Sequence, residues 1–387
     1  MKLIKRDPSA GCTSVLMPAL CAMFAIGVVA LLAAGITGGL LRAGLAVPLP
    51  GNSAWPGQAV LAHAFLMICA FMGTVMGVER ALAVEDRRGL LVPVASAAAG
   101  FAMLAGLPSF AAWLAVIAAV GLIAVNVFVL DRQRTPHAIL LVTGAASWWV
   151  GNLLQALGSH APAVIPWWFS FLVLTIAAER LEMTLLMRRR RGASALLYVC
   201  CGAMLLGSAV FTLSPVWGGV VYGLSLLGLA AWLMVFDIAR RTLAVPGLSR
   251  YMAVCLLLAY GWLAVAGGAW LAASLGYPVR DVALHALGLG FVFSMMLGHG
   301  PVILPALTRI KLLFGWFFYI PVVVLQVSLV VRLCHGPGDF TMLRVGAEGN
   351  AIAIALFAVT MLAAALAWRV KNASAGSVTA PRVAERG

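Results

Sequence analysis

Long apolar runs dominate the sequence, and each is about as long as a helix must be to cross the hydrocarbon core of a bilayer. Only helices satisfy their own backbone hydrogen bonds in lipid at this length, because membrane-spanning barrel strands are about half as long. We therefore predict an all-α integral membrane protein with about twelve transmembrane helices, forming one domain over residues 1–372. The predicted spans are 14–42, 58–84, 89–106, 110–130, 137–157, 164–187, 194–213, 216–236, 250–273, 281–305, 312–333 and 347–369.

Composition supports the membrane assignment, since 63% of the 387 residues are hydrophobic and only 10% are charged. A net charge of +14 would suggest nucleic acid in a soluble protein, but here the basic residues gather between the apolar runs, where they orient helices. The expected partner is thus the lipid bilayer, with no nucleic acid. Residues 373–387 are small and polar, which predicts a disordered cytoplasmic tail.

The distribution of basic residues predicts the orientation of the chain. With the N-terminus in the cytoplasm, 22 of the 26 Lys and Arg residues fall on the cytoplasmic side and 4 on the other side. This alternation predicts a multi-pass protein of the bacterial inner membrane with both termini in the cytoplasm. The boundary near Ser214 and Pro215 is the weakest, and losing that hairpin would leave ten spans.

Two histidines lie inside predicted spans at matching depth. Ionisable groups are costly in a membrane, so each is a candidate for function. His63 and His285 lie four or five residues into helices that enter from the periplasm, about 6–8 Å below that edge. Facing imidazoles at one depth suit the two axial positions of a haem iron, and Gly288 and Gly290 would let a macrocycle or another helix come close. The alternative is a pair of polar residues bonded to neighbouring helices.

A second set of ionisable side chains lies at the cytoplasmic ends of three spans. His299 projects from nearly the same helix face as His285 but about 21 Å deeper, so it cannot bind the same metal. Two interpretations are open: a second metal or proton-handling site that includes His299, or a structural charge cluster that clamps three helices. The other members of the set are Glu79, Arg80, Glu179, Arg180 and Glu182.

Two segments carry a resemblance to known membrane proteins. AHAFLMICAFMGTVMG (62–77) resembles the second helix of haem–copper oxidase subunit I, and ALHALGLGFVFSMMLGHG (283–300) resembles its tenth helix. Together with AYGWL (259–263), they are most similar to the NnrS family of haem- and copper-containing membrane proteins linked to nitric oxide metabolism. The resemblance implies a haem-copper-oxidase-like helix bundle with His63 and His285 as haem ligands.

The sequence also departs from these families. The HxHEM pattern usual in NnrS is reduced to His63 followed by Ala64, and GHGPVILP (298–305) replaces the GHTGR signature. Spans six and seven contain no histidine, so the oxidase ligands for copper and high-spin haem are missing. Oxygen reduction and proton pumping of the oxidase kind are therefore not expected.

The first functional hypothesis is an NnrS-like membrane protein that binds low-spin haem b through His63 and His285 near the periplasmic face. It would act in electron transfer with a redox partner protein, or in the response to nitrosative stress, and its methionines leave copper as a second candidate cofactor. An alternative from another class is a proton-coupled secondary transporter without haem that uses Glu79, Glu179 and Glu182. A membrane subunit or assembly factor without a cofactor is a third. Catalytic residues and oligomeric state do not follow from the sequence.

Overall fold

The computed structural model describes residues 13–48, 54–84, 87–184, 192–308, 310–336 and 338–378. In these ranges the chain forms twelve long helices and no strand, which confirms the all-α prediction. They are α1 (Thr13–Arg42), α2 (55–84), α3 (87–104), α4 (Pro108–Gln133), α5 (Pro136–Ala156), α6 (Ala161–Thr184), α7 (Ala193–Leu213), α8 (Pro215–Phe236), α9 (Leu248–Ser274), α10 (280–308), α11 (Trp316–His335) and α12 (Phe340–Val378).

Eleven of the helices in the described ranges are long and apolar enough to cross a membrane. The remaining one is α3, whose apolar stretch Arg88–Leu104 is shorter than the others. The chain is therefore a multi-pass helical membrane protein, and each predicted span corresponds to one helix.

The uncertain hairpin between α7 and α8 is present. α7 ends at Leu213 and α8 begins at Pro215, where proline suits a first helical turn because its missing N–H would lack an intrahelical partner anyway. A side chain on Gly218 would occupy the position of the Phe211 backbone, so glycine is needed where the two helices meet.

Consecutive helices pack beside one another, and the first helix also meets the last. Three helices spaced four apart in the chain, α2, α6 and α10, lie inside the bundle, where α6 contacts both of the others. The most apolar window of α6 is 72% buried and that of α2 is 61% buried, against 11% for α12. The histidines therefore lie on two helices of the interior.

The last helix is longer than predicted. α12 continues to Val378, whereas the transmembrane domain was expected to end at residue 372. Hydropathy marks the part of a helix that suits lipid, but the helical hydrogen bonds extend into the polar sequence beyond it. The rest of the predicted tail, 379–387, lies outside the described residues.

Candidate functional site

The structure brings His63 of α2 and His285 of α10 together. Their ring centroids are 6.5 Å apart and the ring planes differ by 25°. A metal lies about 2 Å from a coordinating imidazole nitrogen, which is itself about 1.2 Å from the ring centre, so two imidazoles on opposite sides of one metal have centres about 6.4 Å apart. The spacing suits a single metal ion between the two rings, and the condition that α2 and α10 face each other, which the sequence left open, is met.

The His63 ring is held by α1. Its Nδ1 lies 2.7 Å from the carbonyl oxygen of Gly35 and donates its proton there, which leaves the lone pair on Nε2. One turn further on, Gly39 lies directly against the ring, and a β-carbon on it would be 2.8 Å from His63 Cε1. The glycines of α1 therefore set both the tautomer and the position of the imidazole.

The His285 ring is held by its own helix. Its Nδ1 lies 3.0 Å from the carbonyl oxygen of Asp281 and also 3.0 Å from the carboxylate Oδ1 of that residue. Both contacts are acceptors, so Nδ1 donates and Nε2 again carries the lone pair. The hydrogen bonds of both rings within the described parts of the chain are made by Nδ1, and none is made by Nε2. Both imidazoles thus have the arrangement typical of metal ligands, in which the second ring nitrogen is fixed by an acceptor.

Both histidines line a cavity inside the bundle. The space free of protein atoms is about 960 Å³, a figure that includes the open mouth of the cavity and the space just outside it. Apolar side chains from five helices form most of the wall: Ile36, Leu40, Ala64, Met67, Ile68, Met72, Ile165, Phe169, Leu172, Leu284, Leu289, Val292, Phe293, Ala347, Ala351 and Ile354.

The same cavity has two hydrogen-bond donors besides the histidines. Asn350 of α12 is only 3% exposed, and its Oδ1 accepts a 2.8 Å hydrogen bond from Ser328 Oγ. Its Nδ2 has no protein partner among the described residues, although a buried amide donor without a partner costs about 1–3 kcal/mol. The other donor is Arg332 of α11, which pairs with Asp281. This wall is suited to a ligand that carries acceptor oxygens.

The helices of both histidines change to π-helical geometry beside the cavity. In α2 this segment is Leu66–Met72, and in α10 it is Ala286–Phe293. Such segments are frequent at functional sites. In α2 the wider turn is supported by Ser96 of α3, whose hydroxyl donates to the Cys69 carbonyl at 2.6 Å.

The two glycines predicted to admit a macrocycle or a second helix, Gly288 and Gly290, have different surroundings. Gly288 lines the cavity, and a β-carbon on it would lie 3.7 Å from the Phe169 ring. Gly290 instead receives Trp262 of α9, whose Cγ lies 2.5 Å from the position of such a β-carbon. Only Gly288 therefore leaves space on the cavity side.

The predicted charge cluster is divided in the structure. Arg80 of α2 bridges Glu79 at 3.3 Å and Glu179 of α6 at 3.2 Å, so one guanidinium group holds two carboxylates. Glu182 has a half-exposed side chain and lies 4.0 Å from His137 Nε2, apart from this bridge. The α2–α6 clamp is thus present, but it contains three of the five predicted residues.

The fourth residue, Arg180, forms a separate connection from α6 to α10. Its guanidinium donates to His299 Nε2 at 2.9 Å, while His299 Nδ1 donates to the Met295 carbonyl at 2.8 Å. Both ring nitrogens of His299 are thereby engaged, and the residue does not line the cavity. Nearby, burial raises the pKa of Asp237, which lies between α8 and α9. These contacts fit the clamp interpretation of His299 better than the metal-site interpretation.

Within the described part of the chain, no group of three or more His, Cys, Asp or Glu side chains is placed to hold a metal ion. Met67 and Met72 line the cavity together with His63 and His285. Copper as a second cofactor stays a prediction.

Sequence reasoning missed several residues of the site. Asp281 precedes His285 by four residues, which places both on the same helix face, so the sequence spacing could have predicted their contact. Asn350 is a polar residue inside an apolar span and could also have been identified from the sequence as a candidate site residue. Gly35 and Gly39 gave no such signal, because nothing local indicates which glycine of α1 meets a side chain of α2.

The fold and cavity together define a multi-pass helical membrane protein with paired histidines in an interior pocket. The family model described as "Domain of unknown function (DUF8744)" matches residues 20–366, so the chain belongs to that family. Comparison with curated proteins and with solved structures finds no match.

Proposed function

We propose that this protein is a membrane haem protein that holds haem b between His63 and His285. The carrying observation is the 6.5 Å separation of two imidazole rings whose Nδ1 atoms are both committed to acceptors. Both Nε2 lone pairs lack a hydrogen-bond partner among the described residues, so they are available to a metal in the cavity. Haem supplies a one-electron iron couple when bound.

The cavity supports a macrocycle rather than a bare ion. Its largely apolar wall suits a flat apolar ring, and Gly288 keeps the α10 side open. Haem also carries two carboxylates, for which the donors of Arg332 and Asn350 provide suitable partners. The chemistry of the residues present therefore fits the group.

We infer electron transfer as the activity of this site. If His63 and His285 both held the haem iron, no open position would remain on the metal for a diatomic gas such as nitric oxide. The NnrS resemblance and its link to nitrosative stress remain predictions. The haem-copper-oxidase-like bundle also remains a prediction, and the feature that supports it is that α2 and α10 face each other. In the predicted inner-membrane orientation the site lies near the periplasmic face, where a redox partner protein would dock.

The transporter hypothesis has less support from the contacts. Glu79 and Glu179 are held by Arg80, and Glu182 lies apart from them. None of the three lines the cavity. A transport site would instead bring its ionisable groups to a central pocket.

Optical spectroscopy of the protein, expressed with haem available and purified in detergent, tests the proposal. We expect a low-spin haem b spectrum on reduction, loss of haem in His63→Gly and His285→Gly, and recovery of binding when imidazole is added to either variant. His299→Ala is the matched control and should keep its haem. A wild-type protein that does not bind added haem, or histidine variants with normal haem content, would overturn the proposal.

A further inference from the structure

The two histidines of the cavity have chemically different partners. His63 Nδ1 donates to a neutral backbone carbonyl, that of Gly35. His285 Nδ1 faces both a backbone carbonyl and the carboxylate Oδ1 of Asp281, each at 3.0 Å. A hydrogen bond to a charged acceptor is about twice as strong as one between neutral groups. The electronic environment of the two ligands is therefore unequal.

The Asp281 carboxylate is itself fixed by α11. Arg332 Nε donates to Oδ2 and Arg332 Nη2 donates to Oδ1, both at 3.3 Å. Arg332 is only 9% exposed, and its Cβ lies 2.5 Å from where Gly346 of α12 would carry a side chain. Oδ1 thus lies between a guanidinium group and an imidazole, and the acceptor is held in place for His285.

A carboxylate that accepts from the remote ring nitrogen makes the imidazole a more basic ligand. A more basic ligand stabilises the more positive oxidation state of the metal and lowers the reduction potential. The cation of Arg332 acts in the opposite direction, because it withdraws negative charge from the same carboxylate and favours the reduced state directly.

We propose that Asp281 sets the reduction potential of the metal bound between His63 and His285, acting through the His285 ring, and that Arg332 limits its effect. The inference rests on the proposed haem site. Asp281 is a positioning and tuning residue here, since it contacts the ligand and not the metal. The electron that the bound metal would gain or lose comes from, or goes to, a redox partner protein.

A purely structural role for Asp281, as a link between α10 and α11, makes a different prediction. In that case its replacement would lower thermal stability while any bound haem kept its potential and its spectrum. The potential is therefore the informative readout.

The test is a spectroelectrochemical titration of full-length protein in detergent, with Asp281→Asn as the variant and Glu348→Gln as the matched control. Asparagine keeps an acceptor oxygen but removes the charge. Glu348 is an exposed carboxylate on α12, two residues beyond Gly346, without a described contact to the histidines. We expect Asp281→Asn to favour the reduced state by about tenfold or more, which is a rise of about 59 mV for one electron, and Glu348→Gln to cause a much smaller shift.

Two further variants keep the test decisive. Asp281→Glu retains the carboxylate, so its reduction potential should be closer to that of the wild type than to that of Asp281→Asn. If Asp281→Asn does not hold haem, Asp281→Ser must show the same rise in reduction potential. Haem-loaded Asp281 variants with the wild-type potential would overturn this inference alone. A wild-type protein that never binds haem would overturn the proposed function instead.

Discussion

Replacing Gly39 with alanine should displace the His63 ring and weaken ligand binding at the cavity. The β-carbon of Gly39→Ala would lie 2.8 Å from His63 Cε1 and 3.2 Å from Nδ1. Carbon atoms in favourable contact are about 3.5–4.0 Å apart, so the ring must retreat by roughly 1 Å. This movement draws Nδ1 away from the Gly35 carbonyl, to which it is hydrogen-bonded at 2.7 Å.

The expected cost has two parts. Overpacking a well-filled position by one carbon costs about 1–3 kcal/mol, and the net contribution of the weakened hydrogen bond is about 0.5–1.5 kcal/mol. Part of this cost relaxes when the ring moves, so we expect about 1–3 kcal/mol to appear as lost affinity for haem. At about 1.4 kcal/mol per factor of ten, this is a loss of about 5- to 140-fold, similar to the effect of about 10- to 100-fold seen for residues that orient metal ligands.

Haem titration into purified apoprotein measures this loss directly, and Gly27→Ala is the matched control. Gly27 lies on the same helix, but no heavy atom is within 4 Å of the position of its β-carbon. The control should bind haem as wild type does and gain slightly in stability, because alanine is favoured over glycine inside helices. If Gly39→Ala bound haem with unchanged affinity and an unchanged spectrum, the role assigned to α1 would be refuted.

Three further predictions concern stability, each measured by thermal unfolding of the protein in detergent. His299→Ala should cost about 1–3 kcal/mol, because the buried Arg180 guanidinium loses its acceptor; a neutral effect would argue against the clamp. Ser96→Ala should cost a similar amount of about 1–3 kcal/mol by removing the donor to the Cys69 carbonyl, and unchanged stability would mean that the π-helical turn needs no support. Burial raises the pKa of Asp237, so the folded state holds this proton more tightly than the unfolded state, and the contribution to stability falls as the pH rises above about 4. Asp237→Asn should therefore gain stability relative to the wild type as the pH rises above about 4. Stabilities of the variant and the wild type that changed in parallel with pH would contradict this.

The membrane fold was largely predictable because hydropathy alone locates helices that must face lipid. The predicted span 164–187 corresponds to α6 at Ala161–Thr184, and the others agree to within a few residues at most ends. The ends of α12 were missed because polar sequence can continue a helix that apolar sequence begins. The π-helical segments were not predictable, since no residue pattern distinguishes them from ordinary helical turns.

The depth of a charged residue in the membrane does not determine which neighbouring helix its side chain contacts. Glu179 and Arg180 are adjacent in sequence and have nearly the same depth, but neighbouring side chains on a helix point about 100° apart. Glu179 therefore reaches Arg80 on α2, whereas Arg180 reaches His299 on α10. The matching depth of His63 and His285 follows from the sequence, whereas only the structure shows that their rings lie 6.5 Å apart. Their role as haem ligands stays a prediction.

The most direct test of the central claim is low-temperature electron paramagnetic resonance of the oxidised protein, combined with near-infrared magnetic circular dichroism. Together these identify the axial ligands of a haem iron. Ligation by two imidazoles in a low-spin ferric centre, lost when His63 or His285 is replaced by glycine, is the predicted result. A high-spin centre, a ligand other than imidazole, or a bis-imidazole signal that survives both replacements would contradict the account.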